Sequence, residues 1–530
     1  MQINDWLVAN LQPGAKVAID PTLHTITAAE ALEKALALAG MELVSLKSNP
    51  VDDVWGNDRP EPPKATLRIH DLEWAGSSVS EKIADMRTEM KESGATALAV
   101  TMLDEVAWLF NLRGSDVPHN PVFLSYALIT QSSATLFVDK SKITGAIESH
   151  LTEAGVSIQP YEDAFKAVAE LGSKGQKIWM DPTKVSFAMK VAALEGASKQ
   201  SGGRKRARPS DQPSDGCVVL KSSPVSQAKG LKNPAELEGL REAHLRDGVA
   251  LVKFFCWLEK TIASGKTLTE VEIDEHLTSY RAAQPGFVET SFPTIAGAGP
   301  NGAIIHYRAQ PETCKTVDSS TLLLVDSGGQ YDCGTTDITR TMHFGTPTDH
   351  QKACYTAVLQ GHIQLDQAIF PEGTPGCALD VLARTPLWRM GLNYRHGTGH
   401  GVGAALNVHE GPQSISARFG NLQPLLPTMV CSNEPGYYED GSFGVRIENL
   451  FSIVEAPTAF RFGGQSYYGC SRLTMCPMQK KLMDTSLMTQ NEIDWVNAYH
   501  LEVRDALLPR LEAENATEEI TWLNEATSPL

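Results

Sequence analysis

Four carboxylates and one imidazole stand in short motifs whose chemistry fits a site for two metal ions. They are Asp326, Asp337, His400, Glu434 and Glu448. These five side chains offer more metal-ligating atoms than a single ion needs, and carboxylates can bridge two ions. The set contains no thiolate, which favours manganese or cobalt over a structural zinc. Because a two-metal centre can hold a hydroxide at neutral pH and clamp both sides of a hydrolytic displacement, the set predicts a hydrolase.

The segments around these carboxylates predict two hairpins. Thr321–Gly329 is an apolar run that ends in Asp-Ser-Gly-Gly, and Thr335–Phe344 returns as a second strand. Met429–Ser432 and Gly444–Val454 repeat the arrangement around Pro-Gly-Tyr-Tyr-Glu-Asp-Gly turn chemistry. Each hairpin would offer two carboxylates. The two hairpins together suggest a pseudo-symmetric sheet with a dinuclear centre on one face.

Each motif taken alone is weak evidence, since a lone DSG or EPG sequence is usually only a turn. Exposed carboxylates are also the ordinary case in soluble proteins. Here, however, the acids are embedded in strands of Val, Ile, Leu and Met. Burial of unpaired charges in such strands would be costly, and metal coordination removes that cost.

Histidines form a second constellation in glycine-rich surroundings. The candidates are His306, His396, His400 and His409. A lone histidine is more often a satisfied core or surface residue than a catalytic one. The glycines around His400 change this expectation, because glycine lets the backbone approach a ligand closely. One histidine would bind metal, while its neighbours would donate hydrogen bonds to a developing oxyanion or transfer protons.

Composition restricts the class of protein. The 530 residues carry a formal net charge of −17, which disfavours nucleic acid as a partner, and 42% are hydrophobic. No apolar run is long enough to cross a membrane, and the N-terminal residues lack the pattern of a secretion signal. Nine cysteines occur without paired spacing, and reduced thiols in a cytosol are the simplest reading. We therefore expect a cytoplasmic protein with more than one domain.

Composition shifts along the chain predict three regions. Residues 1–65 hold short elements and end at a proline-rich joint, and residues 66–224 alternate strands and helices as in an α/β domain. Residues 225–530 contain the chemical motifs, with a C-terminal extension from about residue 470. The polar insertion at 197–215 could be a nuclear-import or anion-binding patch, but a flexible, solvated basic loop is favoured.

Local patterns predict particular helices. Ile83, Met86 and Met90 share a face of a helix that Gly94 ends. Asn233 is the N-cap of a long helix, followed by a first-turn proline and an acid at the third position. Near the C terminus, a further helix would cover the core or a partner subunit with three side chains. These are Trp495, Tyr499 and Leu501.

The ordered motifs GPNGAIIHY, VDSGGQYDCGTTDITRT, HGTGHGVG, VHEGP and EPGYYEDGSFGVRIEN resemble the pita-bread metallopeptidases. Within them the chain is most similar to the eukaryotic cytosolic Xaa-Pro aminopeptidases, from DEVAWLFNLRGSD and HNPVF through to WVNAYH. The resemblance implies an α+β protein with a C-terminal pita-bread domain, a curved and mostly antiparallel sheet with helices. Creatinase-like α/β domains would precede it. It also implies two manganese ions per subunit, with cobalt or zinc possible, and a homodimer.

The resemblance also assigns roles. The five residues named first would hold the metal ions, and Glu434 would take and relay the proton of the attacking water. The substrate-binding set would be His306, His400, His409 and Glu434, and the catalytic set would be Glu434, His306, His396 and His409. Tyr438 and Arg446 would be partners that fix the ligands. The alternative for Arg446 is an ordinary surface position on a strand.

Two departures from the family pattern are visible. Cytosolic relatives carry a full first domain with a DGRY-type segment whose arginine helps frame the substrate site. Here NDWLVANLQPG resembles only the last part of that domain, which implies a truncated first domain. Asn433, just before Glu434, stands where close relatives usually have an acid.

The predicted activity is removal of the N-terminal residue from peptides with proline at the second position. Two alternatives remain open at this point. One is a prolidase-like dipeptidase, and the other is a catalytically impaired pita-bread protein that only binds peptide or histone segments. The second alternative would be expected to have lost ligands, whereas all five stand here.

Overall fold

The computed structural model describes residues 2–200 and 216–530. Contacts divide the chain into two compact units. The first comprises Met1–Leu72, Ser77–Val117 and Val122–Gln227, and the second comprises Glu73–Gly76, Pro118–Pro121 and Ala228–Leu530. Most of the predicted insertion at 197–215 lies outside the described residues, but its first residues end a helix that runs to Gln200.

The N-terminal part of the chain alternates helices and strands, as predicted. Its elements are α1 (Ile3–Asn10), β1 (Lys16–Ile19), α2 (Ile26–Leu38), β2 (Glu42–Ser45), α3 (Pro50–Trp55), β3 (Arg68–Ile69), α4 (Leu72–Ala75), α5 (Val79–Glu92), β4 (Ala97–Val100), α6 (Leu103–Leu109), β5 (Leu112–Arg113), β6 (Ser125–Thr130), β7 (Ala134–Val138), α7 (Gly145–Glu153), β8 (Val156–Gln159), α8 (Ala164–Ser173), β9 (Ile178–Met180), α9 (Phe187–Gln200), β10 (Val218–Leu220) and α10 (Pro224–Gly230).

The main sheet of the first unit is mixed, with strand order β10-β9-β4-β6-β7-β8. Its strand β4 is buried on both faces, and α5 turns Ile83, Met86 and Met90 into the core. Ser78 and Glu81 form a capping box at the start of α5. Gly94 follows the helix with a φ of +68°, which only glycine adopts readily, so the predicted helix and its end are confirmed.

The second unit contains a long helix followed by short strands and two helical layers. Its elements are α11 (Pro234–Ala263), β11 (Leu268–Thr269), α12 (Glu270–Ala282), β12 (Phe287–Thr290), β13 (Ile295–Ala298), β14 (Thr316–Val317), β15 (Leu322–Ser327), β16 (Gly329–Tyr331), β17 (Ile338–His343), α13 (Asp349–Asp366), β18 (Phe370–Pro371), α14 (Gly376–Arg389), β19 (Gly399–Gly401), β20 (Glu410–Ile415), β21 (Val430–Asn433), β22 (Gly436–Glu439), β23 (Phe443–Arg446), β24 (Asn449–Glu455), β25 (Tyr467–Arg472), α15 (Gln490–Ala513) and α16 (Thr517–Ala526).

The long helix α11 begins where the sequence predicts. The Asn233 side chain accepts a hydrogen bond from the Glu236 N–H, and the Glu236 carboxylate accepts one from the Asn233 N–H. Pro234 occupies the first turn, where a missing N–H costs nothing. One face of α11 is buried against the antiparallel group β13-β15-β17, and the apolar cluster between them includes Phe254, Leu258 and Leu323.

The first predicted hairpin is confirmed. Strand β15 pairs antiparallel with β17, so that Asp326 lies opposite Thr339 and Ser327 opposite Ile338. Asp337 directly precedes β17. This pairing brings Asp326 and Asp337 close together, and their carboxylate oxygens lie within 4.8 Å of one another.

The second predicted hairpin differs from expectation in one respect. Strands β21 and β24 pair antiparallel within the sheet β18-β25-β24-β21-β19-β20, and β22 and β23 form a separate hairpin between them. The predicted single strand Gly444–Val454 is therefore wrong, because it breaks at Ile447 and Glu448. The Ile447 N–H donates to Pro435 O at 3.3 Å and the Glu448 N–H donates to Thr339 O at 3.1 Å. The backbone thus leaves the β22–β23 hairpin at Arg446 and joins the β21–β24 pair at Asn449.

Helix α15, the penultimate helix of the described residues, packs against α11, α13 and α16. Trp495 and Tyr499 are buried in the core cluster of this unit, as predicted. Leu501 is 46% exposed, so it does not cover the core, and its alternative placement against a partner subunit stays a prediction. The buried Arg340 of β17 joins these elements, since its guanidinium donates to Glu448 O, Cys476 O and Tyr499 Oη.

A buried histidine on α15 gives the unfolding free energy a pH dependence. His500 Nε2 accepts a hydrogen bond from the Met478 N–H at 3.1 Å, which requires a neutral ring. Burial, together with the charges of Lys480 and Arg340, lowers the pKa of His500 to about 4. The contribution of the neutral His500 to the free energy of unfolding is fully present above the unfolded pKa near 6.5. It is lost as the pH falls toward 4, and the loss is about 3 kcal/mol.

We expect the variant His500→Gln, which does not titrate, to lose less unfolding free energy than the wild type when the pH falls from about 7 to about 4.5. Urea unfolding of both proteins in the presence of a chelator, at each pH, measures the difference. Equal losses in the two proteins would contradict this assignment.

Candidate metal centre

The carboxylates lie where strands end or begin. Asp326 is in β15, Asp337 precedes β17, Glu434 follows β21 and Glu448 precedes β24. The structure brings the ligand atoms of three overlapping groups within 4.8 Å of one another. These groups are Asp326, Asp337 and Glu448; His400, Glu434 and Glu448; and Asp337, His400 and His409. Glu448 is common to the first two groups. The geometry therefore fits two adjacent cations that share a carboxylate.

His400 presents one ring nitrogen to the carboxylates. Its Nδ1 donates to Gly401 O at 3.0 Å, which leaves the Nε2 lone pair 3.3 Å from Asp337 Oδ2 and 3.5 Å from Glu434 Oε1. A backbone carbonyl on one nitrogen is the usual arrangement for a metal-binding histidine. Burial lowers the pKa of His400, but the carboxylates of Asp337 and Glu434 outweigh it and raise the value to about 9 in the chain by itself.

The chemistry of the cluster fits bound cations. Burial, with the nearby charges of Asp326 and Glu434, raises the pKa of Asp337 to about 7. Burial and the neighbouring carboxylates also raise the pKa of Glu448 well above its usual range. Asp326 Oδ1 is buried and has no hydrogen-bond partner among the described residues. Such crowding of carboxylates is costly without positive charge, and hard oxygen donors suit divalent ions.

Arg446 is buried beside the carboxylates, not on the surface. Its Nη2 donates to Asp326 Oδ2 at 2.5 Å, its Nη1 to Tyr438 Oη at 2.6 Å and its Nε to Thr339 Oγ1 at 3.1 Å. Thr339 Oγ1 in turn donates to Glu448 Oε2 at 2.7 Å. One guanidinium thus links two carboxylates of the cluster to the phenol.

His396 lies at the end of this chain of hydrogen bonds. Its Nδ1 donates to Gly397 O at 2.7 Å, so its Nε2 accepts from the Tyr438 hydroxyl at 2.8 Å. Burial and the charge of Arg446 lower the pKa of His396 to about 3, which keeps the ring neutral. A neutral His396 can direct the Tyr438 oxygen but does not add charge to the site.

His306 and His409 line the same cavity, whose volume is about 640 Å³. Both side chains are exposed to it. The His409 ring meets the His400 ring edge to face, with centroids 4.2 Å apart, and burial and the charge of His400 lower the pKa of His409 to about 4. His409 also belongs to one of the ligand groups. All predicted site residues except Tyr438 therefore line one cavity, and Tyr438 is hydrogen-bonded to His396 and Arg446, which do line it.

Sequence reasoning missed several residues that hold the site. Glu270 is buried, and its carboxylate accepts from the Ala298 N–H at 2.7 Å and from Tyr307 Oη at 2.6 Å, which fixes the loop of His306. Its position as the first residue of α12, after a threonine cap, resembles any helix start. No signal in the sequence pairs it with a loop some thirty-five residues later.

Hydrogen bonds from α14 hold the HGTGH segment, residues 396–400, and the sequence did not predict them. Arg384 on α14 donates to both oxygens of Asp380 and to His396 O at 2.8 Å. Thr398 Oγ1 donates to Asp380 Oδ1 at 2.6 Å. The spacing of four residues between Asp380 and Arg384 is a signal, but it is indistinguishable from a surface ion pair.

Ser432, which precedes Asn433, connects two of the candidate ligands. The Ser432 hydroxyl donates to Glu434 Oε1 at 3.1 Å and accepts from the His400 N–H at 3.0 Å. Asn433 points away from the cluster, and its amide donates to His362 O at 2.9 Å. The departure at Asn433 therefore does not remove a group from the candidate centre.

Comparisons with known proteins give the family. The family model described as metallopeptidase family M24 matches residues 238–455, a creatinase/prolidase N-terminal domain matches 58–236, and a C-terminal region of peptidase M24 matches 466–530. Aminopeptidase P2 of Arabidopsis thaliana is 47% identical over 99% of this chain and 75% of its own length. The chain belongs to the Xaa-Pro aminopeptidases of metallopeptidase family M24.

Solved structures of this family and its neighbours agree with the fold. The X-prolyl aminopeptidase from Caenorhabditis elegans, described as a cytosolic enzyme with a di-nuclear active site, matches with a TM-score of 0.92. It is 35% identical over 100% of this chain and 83% of its own. The Xaa-Pro dipeptidase from Bacillus anthracis, at 22% identity and a TM-score of 0.56 over 76% of this chain, shows the fold alone. The predicted α+β architecture, with a pita-bread domain after creatinase-like domains, is confirmed.

Because the chain belongs to the Xaa-Pro aminopeptidases, the role of Arg446 in holding the candidate ligands can be tested with a peptidase assay. Lysine carries one nitrogen and cannot replace the three contacts of the guanidinium, so Arg446→Lys would leave Asp326 or Tyr438 unpaired. We expect kcat/KM on a Pro-containing tripeptide to fall about 10- to 100-fold, as for other partners of metal ligands.

Steady-state kinetics at saturating Mn²⁺ measures this effect. The matched control is Arg472→Lys, which removes a guanidinium that binds Asp366 and Glu502 outside the cavity. If both variants lose activity to the same small extent, Arg446 is only a structural residue.

Proposed function

We propose that this chain removes the N-terminal residue from peptides whose second residue is proline, with two divalent metal ions bound per subunit. The observation that carries the proposal is the convergence of Asp326, Asp337, His400, Glu434 and Glu448 at one cavity, with Glu448 shared between two ligand groups. Bound there, the ions would supply a hydroxide at neutral pH and polarise the scissile carbonyl.

The remaining chemistry belongs to the chain itself. Glu434 is the base that takes and relays the proton of the attacking water, because its carboxylate lies in the cavity and its Oε1 is held by the Ser432 hydroxyl. Burial raises the pKa of Glu434 above its ordinary value, which suits a carboxyl that gains and returns a proton.

Histidines around the cavity bind the substrate. His306 and His409 stabilise the tetrahedral oxyanion or steady the residues around proline, and His396, which lines the same cavity, accepts a hydrogen bond from the Tyr438 hydroxyl. Asp326 or a neighbouring carboxylate receives the free N-terminal ammonium, which accounts for cleavage one residue from the end. His400 and Glu434, which are also candidate metal ligands, contact the substrate as well.

The metal is proposed to be manganese, with cobalt or zinc as alternatives. The donor set of four carboxylates and one imidazole contains no thiolate, and such donors suit hard or borderline ions in geometries other than a structural zinc site. Titration of chelator-treated protein with each ion, followed by calorimetry, ranks them.

Steady-state hydrolysis of Arg-Pro-Pro beside the dipeptide Ala-Pro tests the activity. The protein is stripped with a chelator, reconstituted with Mn²⁺ and run beside Glu434→Ala. We expect release of free arginine from the tripeptide, and no release by the variant. Cleavage of Ala-Pro alone would instead assign a prolidase-like dipeptidase.

A chain that binds Mn²⁺ but turns over neither peptide would favour the binding-protein alternative. The chain spans 75% of the Arabidopsis relative and 83% of the C. elegans structure, so the full-length Arabidopsis relative, assayed in parallel, is the positive control for this experiment.

Location and assembly are further proposals. We place the protein in the cytoplasm as a homodimer, with residues 1–65, 66–224 and 225–530 as its domains. None of the nine cysteines, all of which lie among the described residues, forms a disulfide, as in a reducing compartment, and the relative from C. elegans is described as cytosolic. In the part of the chain that the structure describes, no helix has the length and apolar character of a membrane span. Light scattering of the purified chain tests the dimer.

A further inference from the structure

A buried ring of hydrogen bonds lies between the two loops that carry the candidate ligands. The Leu406 N–H donates to Thr335 Oγ1 at 3.1 Å, Thr335 Oγ1 donates to Gln330 Oε1 at 2.8 Å, and Gln330 Nε2 donates to Leu406 O at 2.8 Å. Gln330, Thr335 and Leu406 are fully buried. None of the three was singled out by its residue type.

The hydrogen count favours this closed arrangement. Thr335 Oγ1 also lies 2.9 Å from Leu406 O, but its single hydrogen serves one acceptor at a time. Leu406 O already accepts from Gln330, so donation by the hydroxyl to Gln330 Oε1 satisfies every member. The second N–H of the Gln330 amide donates to His119 O at 3.2 Å. Hydrogen bonds closed in this way strengthen one another in a buried environment.

The ring joins two connections that both end on ligands. Gln330 of β16 and Thr335, which pair as an isolated bridge, lie in the connection between Asp326 and Asp337. Leu406 lies in the connection between β19, which carries His400, and β20, which follows His409 directly. The same two connections also meet at the site, where His400 Nε2 lies 3.3 Å from Asp337 Oδ2 and His409 belongs to the same ligand group.

The connection that carries Leu406 is strained beside the ring. Ala405 has a φ of +50°, a conformation that costs a residue with a side chain of order 1–3 kcal/mol. The backbone N–H and C=O of Leu406 are both engaged by the ring, so the ring holds this conformation in place. A residue held in this way marks a position where geometry has been selected over local stability.

We propose that the ring of Gln330, Thr335 and Leu406 is a positioning device, which sets the imidazoles of His400 and His409 against the carboxylate of Asp337. The inference rests on the proposed function, because it assigns these groups to one metal centre. Thr335 and Gln330 contact neither substrate nor metal; they act through the loops. Their removal should therefore change metal binding and turnover more than it changes the binding of peptide.

Thr335→Val is the decisive variant, since it removes the hydroxyl and keeps the shape. Thr335→Ser retains the hydroxyl, and Thr356→Val removes a comparable buried hydroxyl that accepts the Asp484 N–H at 2.9 Å on α13. Each protein is stripped, titrated with Mn²⁺ by calorimetry and assayed for kcat and KM on Arg-Pro-Pro. Urea unfolding accompanies each titration, and Gln330→Met provides a second route should Thr335→Val not fold.

We expect Thr335→Val to weaken Mn²⁺ binding and lower kcat by about 10- to 100-fold, the range seen for partners of metal ligands, with KM changed by less than about threefold. Thr335→Ser should recover most of the loss, and Thr356→Val should lose stability without losing metal affinity. Wild-type Mn²⁺ affinity and kcat in Thr335→Val, or in Gln330→Met, would overturn the inference. A wild-type protein that binds no Mn²⁺ and cleaves no peptide would instead refute the proposed function.

Discussion

Replacement of Glu434 by glutamine is expected to lower kcat on Arg-Pro-Pro by about 10³-fold, within the range for loss of a general base. The carboxylate lies in the cavity beside His400, and its Oε1 already accepts from the Ser432 hydroxyl. Glutamine keeps the shape and that hydrogen bond to oxygen, but its amide neither carries charge nor accepts a proton. The predicted base and one anionic ligand are lost in a single step.

Steady-state kinetics with saturating Mn²⁺ measures the loss, and calorimetry at the same time shows how much metal remains bound. The control is Glu372→Gln, an exposed carboxylate away from the cavity, which should leave kcat unchanged. Retention of more than about a tenth of the wild-type kcat by Glu434→Gln, with metal bound, would exclude Glu434 as the base, because loss of a general base costs about 10²- to 10⁴-fold.

Removal of metal by a chelator is expected to abolish hydrolysis and to lower the midpoint of thermal unfolding, both reversibly. The four carboxylates approach one another within the ligand groups, and burial with mutual repulsion raises the pKa of Asp337 and Glu448. Cations relieve that repulsion in the folded chain only. At a concentration one hundred times its Kd, a bound ion contributes about 2.7 kcal/mol to the free energy of unfolding.

Thermal unfolding with and without added Mn²⁺, in the wild type and in Asp337→Asn, measures this contribution. Asp337 belongs to two of the three ligand groups, so its variant should show a smaller increase in midpoint than the wild type. A chelated protein that keeps full activity, or an increase of equal size in both proteins, would contradict a metal centre built on these residues.

Much of the candidate centre was predictable because the ligands are written into local patterns. A strand of apolar residues ending in Asp-Ser-Gly-Gly has few folded alternatives, and β15 and β17 pair as the pattern predicts. The break at Ile447–Glu448 was not predictable from alternation alone. It depends on the Glu448 N–H finding Thr339 O, a partner on a strand more than one hundred residues away.

The supports of the site escaped prediction for the same reason. Glu270, Asp380 and Thr335 are polar residues in ordinary helix-start, helix and turn positions. Their roles arise only when distant segments meet them, as Leu406 meets Thr335. The sequence also did not decide whether Leu501 covers the core or a partner subunit, since a helix offers several faces and the apolar character of one residue does not say which face is covered.

Hydrogen bonds from the guanidinium of Arg340 tie the C-terminal region to the preceding segment, although a separate family model matches each of them. Matches to the catalytic and C-terminal models stop at residue 455 and resume at 466, as if two modules were joined end to end. Yet half of the acceptors of the buried Arg340 on β17 come from that region, namely Pro477 O, Cys476 O and Tyr499 Oη of α15. The other acceptors, Thr339 O, Glu448 O and Asn449 Oδ1, lie within the segment that the first model matches. Removal of residues 466–530 would therefore leave part of a buried guanidinium unsatisfied next to Glu448, so the first segment depends on the second for its stability.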